Sequence, residues 1–154
     1  MRDWSLASLA GLGSAALLGA ALFFQYVVGL APCDLCIQQR WPHLVAFLIG
    51  MIVFFVPQVW LMGLGALAAA TARGFGVYHT GVERGWWQGP GACSGTADIR
   101  SLSPSQALDA IMAAPVVRCT DVAWEMFGLS MASWNAVLSF ALVGVWLIAM
   151  RRGH

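Results

Sequence analysis

Apolar residues come in four blocks, and the polar material between them collects in only two intervals. Residues 6–30 carry Gln25 and two serines as their conspicuous polar side chains, and about 20 apolar residues in helical form cross a bilayer core of about 30 Å. Residues 41–57 form a second block that turns at Pro57 and Gln58 into a third, 59–78, so the pair reads as a helical hairpin. A fourth block, 129–150, stops at Arg151 and Arg152. Four spans put both termini on one side and leave two loops, about 31–40 and 79–128, on the other.

Within the long loop, Ser103 followed three residues later by Gln106 makes a capping box, and Pro104 suits the first helical position. Ala107, Leu108, Ile111 and Met112 then share one face, so a short amphipathic helix is expected to end before Pro115. Its apolar face must be buried, either at the membrane interface or against the ends of the spans. Gly11, Ala15 and Gly19, four apart in the first block, suit close helix packing. That block is longer than the apolar core of a secretory signal and reads as a retained span.

Composition agrees with this reading. Apolar residues make up 60% of the 154, charged ones 10%, and the mean hydropathy is +0.75, against about 25% charge in soluble domains. There is no lysine, and a net charge of +1 offers no basic face for a nucleic acid backbone. The chain is expected to form a single all-α integral membrane domain over residues 1–154. Tryptophans favour the two membrane interfaces, and they sort into two belts. Trp4, Trp60 and Trp146 fall toward the terminal side, and Trp41, Trp86, Trp87, Trp124 and Trp134 toward the loop side. Arginines flank spans on both sides and leave the orientation undecided.

All four cysteines, Cys33, Cys36, Cys93 and Cys119, fall in the two loops and so in one compartment. Incidental cysteines, tolerated as small apolar residues, would instead be scattered through the spans. A structural zinc site made of four cysteines takes two closely spaced pairs, whereas 25 residues separate Cys93 from Cys119. A c-type haem needs His after the second cysteine of the CxxC, where Ile37 stands. No metal site is expected. Dithiol redox chemistry fits better, because context lowers the thiol pKa in CxxC motifs, although the βαβ pattern of the soluble examples is missing.

Arg40 lies four residues beyond Cys36, within helical reach of a thiolate. If Pro42 opens the second helix, Arg40 falls just before it. Without the neighbouring CxxC, Arg40 would read as an interfacial snorkelling residue. A Cys36 thiolate beside the bilayer can donate electrons to a lipid-soluble acceptor. His43 and His79 both fall near this interface, and position barely separates them.

Three segments, CDLCIQQR at 33–40, YHTGVERGWWQGPGAC at 78–93 and CTDVAWEMFGLSMASW at 119–134, resemble the bacterial inner-membrane disulfide bond formation protein B family, DsbB, over nearly the whole chain. The resemblance implies a four-transmembrane-helix bundle with cytoplasmic termini and two periplasmic disulfides acting in series. Cys93 and Cys119 would take electrons from a reduced periplasmic oxidase of the DsbA type, with Cys93 forming the mixed disulfide. Cys119 would then attack the Cys33–Cys36 disulfide at Cys33, and Cys36 would pass the electron pair to a membrane quinone, ubiquinone in preference to menaquinone. Arg40 matches the family arginine beside that quinone. His79 matches a family histidine near it, which favours His79 over His43.

Two other readings stay open. A non-enzymatic membrane subunit would use the cysteines as staples, and closing the loop from 93 to 119 would stabilise it by roughly 3–4 kcal/mol in the chain-entropy model. A conduit carrying reductant outward would need an electron-accepting pair within reach of the cytoplasm, and the sequence has none there.

Overall fold

Long apolar stretches with polar groups only at their ends can satisfy every backbone N–H and C=O inside a helix, and helices dominate the molecule. The computed structural model describes residues 3–90, 103–112 and 117–153. In chain order the elements are α1 (Asp3–Tyr26), α2 (Asp34–Gln38), α3 (Arg40–Phe55), α4 (Val59–Glu83), α5 (Pro104–Met112), β1 (Glu125–Met126), β2 (Leu129–Ser130) and α6 (Met131–Arg152).

Among the described residues, α1, α4 and α6 are long and apolar enough to cross a membrane, at about 36, 38 and 33 Å by helical rise. With the apolar side chains that α1, α4 and α6 turn outward, such as Leu9, Leu67 and Phe140, they make this a multi-pass membrane protein. The helix α3 has 16 residues, about 24 Å, so it falls short where a fourth full span was expected. It continues almost directly from α2, because Gln39 between them keeps helical dihedrals (φ −65°, ψ −22°).

Packing pairs α1 with α3 and α4 with α6, and α3 also packs on α4. Gly11 and Gly50 let α1 and α3 approach backbone to backbone: a Cβ on Gly11 would lie 2.8 Å from Gly50 Cα. The expected stripe of Gly11, Ala15 and Gly19 is only partly used. Gly19 has nothing within 4 Å, and the buried face runs through Ala7, Ala10 and Ser14 instead. Trp146 also departs from expectation. It is fully buried against Gly65, in a core with Ala66, Ala69 and Val53, rather than lying in an interfacial belt.

Several boundaries move for local reasons. The first helix spans Asp3–Tyr26, not 6–30. Arg40 is the first residue of α3, with Pro42 inside its first turn, rather than preceding the helix. The third helix runs past 78 to Glu83, so His79 is helical rather than in the loop. It ends where Gly85 takes φ +69°, with Trp86 N–H donating to Gly81 O (2.8 Å) and Gly85 N–H to Val82 O (3.1 Å), a glycine C-cap of the Schellman type. Trp87 then folds back over Gly81, stacks on Tyr78 and donates from Nε1 to Tyr78 O at 2.7 Å.

The all-α expectation also misses a small antiparallel hairpin, in which Glu125 pairs with Ser130 and Met126 with Leu129. Phe127 (φ 55°) and Gly128 (φ 74°) form its two-residue turn, both left-handed as a type I′ turn requires. Consequently α6 begins at Met131 rather than 129, capped by Ser130 Oγ accepting from Ser133 N–H (3.2 Å). In α5 the capping box is present, with Gln106 N–H donating to Ser103 Oγ at 3.5 Å and Ser103 N–H to Gln106 Oε1 at 3.2 Å. Leu108 and Met112 on this helix are exposed.

Candidate functional site

The short helix α2 exists because Cys33 caps it. Extended at φ −80° and ψ 170°, Cys33 presents its sulfur to Cys36 N–H at 3.2 Å, as a serine or aspartate cap would present oxygen. This brings the sulfurs of Cys33 and Cys36 to 2.7 Å, both as free thiols. The hydrogen bond to Cys36, reinforced by burial, pushes the Cys33 thiol far above its ordinary range. The same bond holds Cys36 below its ordinary value, assisted by a backbone N–H and Arg40 and opposed by burial and Glu83. Of the two thiols, Cys36 is therefore the more readily ionised.

The loop carrying Cys119 folds over this pair. Cys119 is fully buried and disulfide-bonded, and it packs with Cys33, Leu35 and Val82. Its sulfur, the Cys33 sulfur and a ring nitrogen of His79 lie within 4.8 Å of one another. His79 Nε2 is 3.6 Å from Cys33 Sγ and 3.9 Å from Glu83 Oε1. The other Glu83 oxygen accepts from Ser130 Oγ, tying α4 to the start of α6.

Beside the cysteines opens a cavity of about 410 Å³. Leu17, Leu18 and Ala21 of α1 form its apolar wall, Phe24 and Trp124 (ring centroids 5.1 Å apart) its aromatic one, and Cys33, Cys36, Arg40 and His79 its reactive edge. Arg40 donates from Nη1 to Gln25 Oε1 on α1 at 2.5 Å. Its Nε–H is buried and has no partner among the described residues, which leaves a cationic donor for an oxygen acceptor. A mostly apolar cleft with a few convergent polar groups suits a flat, weakly polar ligand.

Of the residues singled out from sequence, Cys33, Cys36, Cys119, Arg40 and His79 come together here, while Cys93 lies outside the described residues. His43 also lines the cavity, but it is tied to Asn135 Oδ1 at 2.7 Å rather than to a cysteine among the described residues. Sequence reasoning missed Gln39, Asn135 and Glu83. Gln39 Nε2 lies 2.8 Å from His79 Nδ1, and Asn135 Nδ2 donates to Gln39 Oε1 at 2.7 Å. An amide such as Asn135 within an apolar span was a signal in itself, since polar groups inside a membrane need a partner or a task.

Comparison with known proteins fits this geometry. The family model described as "Disulfide bond formation protein DsbB" matches residues 3–149. Relatives bearing the name Disulfide bond formation protein B include that of Verminephrobacter eiseniae, 37% identical over 93% of this chain and 82% of that protein. The protein from Shewanella frigidimarina is 34% identical over 96% and 88% of the two chains, and that from Stutzerimonas stutzeri 30% identical over 96% and 95%. No solved structure matches.

Proposed function

Because this chain belongs to the DsbB family of membrane disulfide bond formation proteins, we propose that it reoxidises a periplasmic DsbA-type thiol oxidase and delivers the electrons to a membrane quinone. The single observation that carries the reading is the meeting of Cys33 Sγ, Cys119 Sγ and His79 within 4.8 Å at the edge of an apolar cavity. In this reading the protein is one domain of the bacterial inner membrane, with α3 forming the remaining span, about residues 41–57. The cysteines face the periplasm and the termini the cytoplasm.

Each step conserves electrons. The partner's dithiol reduces the Cys93–Cys119 disulfide through a mixed disulfide at Cys93, and the partner leaves oxidised. The freed Cys119 thiolate attacks Cys33 Sγ; the Cys33–Cys119 bond forms, the Cys33–Cys36 bond breaks, and the electron pair departs on Cys36. Cys36 suits that role because its thiolate is the stabilised one, and a lower-pKa thiol leaves faster. A quinone, when bound, supplies the two-electron acceptor, ubiquinone being the choice over menaquinone. The cavity's residues fit such a group: the unpartnered Arg40 Nε–H would bind a ring oxygen, Phe24 and Trp124 would flank the ring, and Leu17, Leu18 and Ala21 would receive the apolar tail.

Quinone reduction by the purified protein, started with a reduced DsbA-type partner, tests the reading. The wild type should turn over and Cys36→Ser should not. A folded, quinone-bound wild type that stays silent with several such partners would overturn it in favour of a structural role for the cysteines.

A further inference from the structure

A backbone carbonyl only accepts hydrogen bonds, and two carbonyls fix the direction of a side-chain chain that ends at Cys33. Gln39 Nε2 lies 3.1 Å from Leu35 O, so the amide NH₂, not the amide oxygen, occupies that position. The second hydrogen of the same NH₂ faces His79 Nδ1 at 2.8 Å, and Nδ1 must accept it. Asn135 is oriented in the same way. Its Nδ2 reaches both Ala72 O (3.4 Å) and Gln39 Oε1 (2.7 Å), while its Oδ1 faces His43 Nε2 at 2.7 Å. With Nδ1 occupied as an acceptor, the proton of neutral His79 sits on Nε2. That nitrogen faces Cys33 Sγ at 3.6 Å, and a ring nitrogen lies within 4.8 Å of both the Cys33 and Cys119 sulfurs.

We propose that Gln39, held in orientation by Asn135, is a positioning residue: it fixes His79 as an Nε2–H donor to the Cys33 sulfur where the ring and the Cys33 and Cys119 sulfurs meet within 4.8 Å, and so keeps the two sulfurs in register for exchange. His79 in this state has no lone pair on Nε2 and cannot take a proton from Cys33, so it is a donor to sulfur and not a base. The register function rests on the exchange reading above; the tautomer does not.

The full chain with Cys36→Ser and Cys93→Ser retains only the Cys33 and Cys119 thiols. Equilibrated with glutathione, it consumes one glutathione disulfide, forms the Cys33–Cys119 bond and releases two glutathione thiols. Nitrogen-15 NMR of histidine-labelled protein reads the tautomer separately. The parent should carry the His79 proton on Nε2. Gln39→Glu, which puts only acceptor oxygens beside Nδ1, should move the proton to Nδ1 and lower the Cys33–Cys119 equilibrium constant roughly three- to tenfold, the scale of one net hydrogen bond. Asn135→Leu, which leaves the Leu35 contact in place, should lower the constant by a smaller factor and covers the case in which Gln39→Glu fails to fold. A parent with the proton on Nδ1 would overturn the proposal. So would a tautomer shift that leaves the disulfide equilibrium unchanged. Quinone turnover enters neither readout, so a failure of the proposed function is told apart from a failure of this inference.

Discussion

Gly76 on α4 sits directly against the backbone of α6, and adding one methyl group there tests whether that contact positions the site. A Cβ at Gly76 would lie 2.9 Å from Ala136 N, 3.1 Å from Ala132 O and 3.1 Å from Ala136 Cα. Ordinary contact begins near 3.4 Å, so α6 must retreat by about half an ångström, and no side-chain rotation relieves a clash with main chain. Overpacking of this kind costs about 1–3 kcal/mol. Gly74, two residues away on the same helix, has nothing within 4 Å of its Cβ position, and there a Gly→Ala change gains up to about 1 kcal/mol in helix propensity. Both variants collect that gain, so Gly76→Ala should be about 1–3 kcal/mol less stable than Gly74→Ala, a factor of about 5–150 in the unfolding equilibrium. Titration with denaturing detergent in mixed micelles, followed by far-UV circular dichroism, measures the difference. Asn135 lies between the two displaced alanines and bonds Gln39 at 2.7 Å, so Gly76→Ala should also slow turnover while Gly74→Ala should not. Equal stability of the two variants would refute the close α4–α6 approach and the positioning of Asn135 derived from it.

Two further outcomes follow from the site. Cys33→Ala removes the hydrogen bond that is the first cause of the lowered Cys36 pKa, so alkylation of Cys36 by iodoacetamide should require higher pH than in the protein with Cys33; an unmoved pH profile would leave the depression to Arg40 and the helix turn. Arg40→Met removes the charge-assisted bond to Gln25 and the unpartnered Nε–H at the cavity, and quinone binding measured by equilibrium titration should weaken by about tenfold or more, given about 1.5–3 kcal/mol for a hydrogen bond to a charged group.

What the sequence disclosed about the site is what short spacing governs. The CxxC needs one helical turn to bring Cys33 and Cys36 together, and Arg40 follows on the same path, so position alone put three residues at one helix mouth. The capping box of α5 was legible for the same reason, since Ser103 and Gln106 are three residues apart. The hairpin was not. Type I′ turns advertise themselves through asparagine or aspartate before glycine, and here Phe127 takes the left-handed position instead, while Trp134 Nε1–H donates to Met126 O at 3.1 Å across the base. Trp146 misled for a related reason: an indole suits either an interface or a cleft, and only Gly65 opposite it, 81 positions away in the chain, decides between them.

The amide chain is the deepest case. Gln39 and Asn135 are 96 residues apart; the amide inside an apolar span signals a partner without naming it, and neither residue type is reactive. Their meeting depends on α4 lying close enough to α6 for Asn135 to reach both Ala72 O and Gln39 Oε1, which in turn depends on the missing Cβ of Gly76. The Cys33 and Cys36 sulfurs are brought together by local spacing, but the hydrogen that faces Cys33 from His79 is set by helix packing at a distance. Loss of function from changes on the α4–α6 contact, with every cysteine and Arg40 left intact, is the behaviour this arrangement requires.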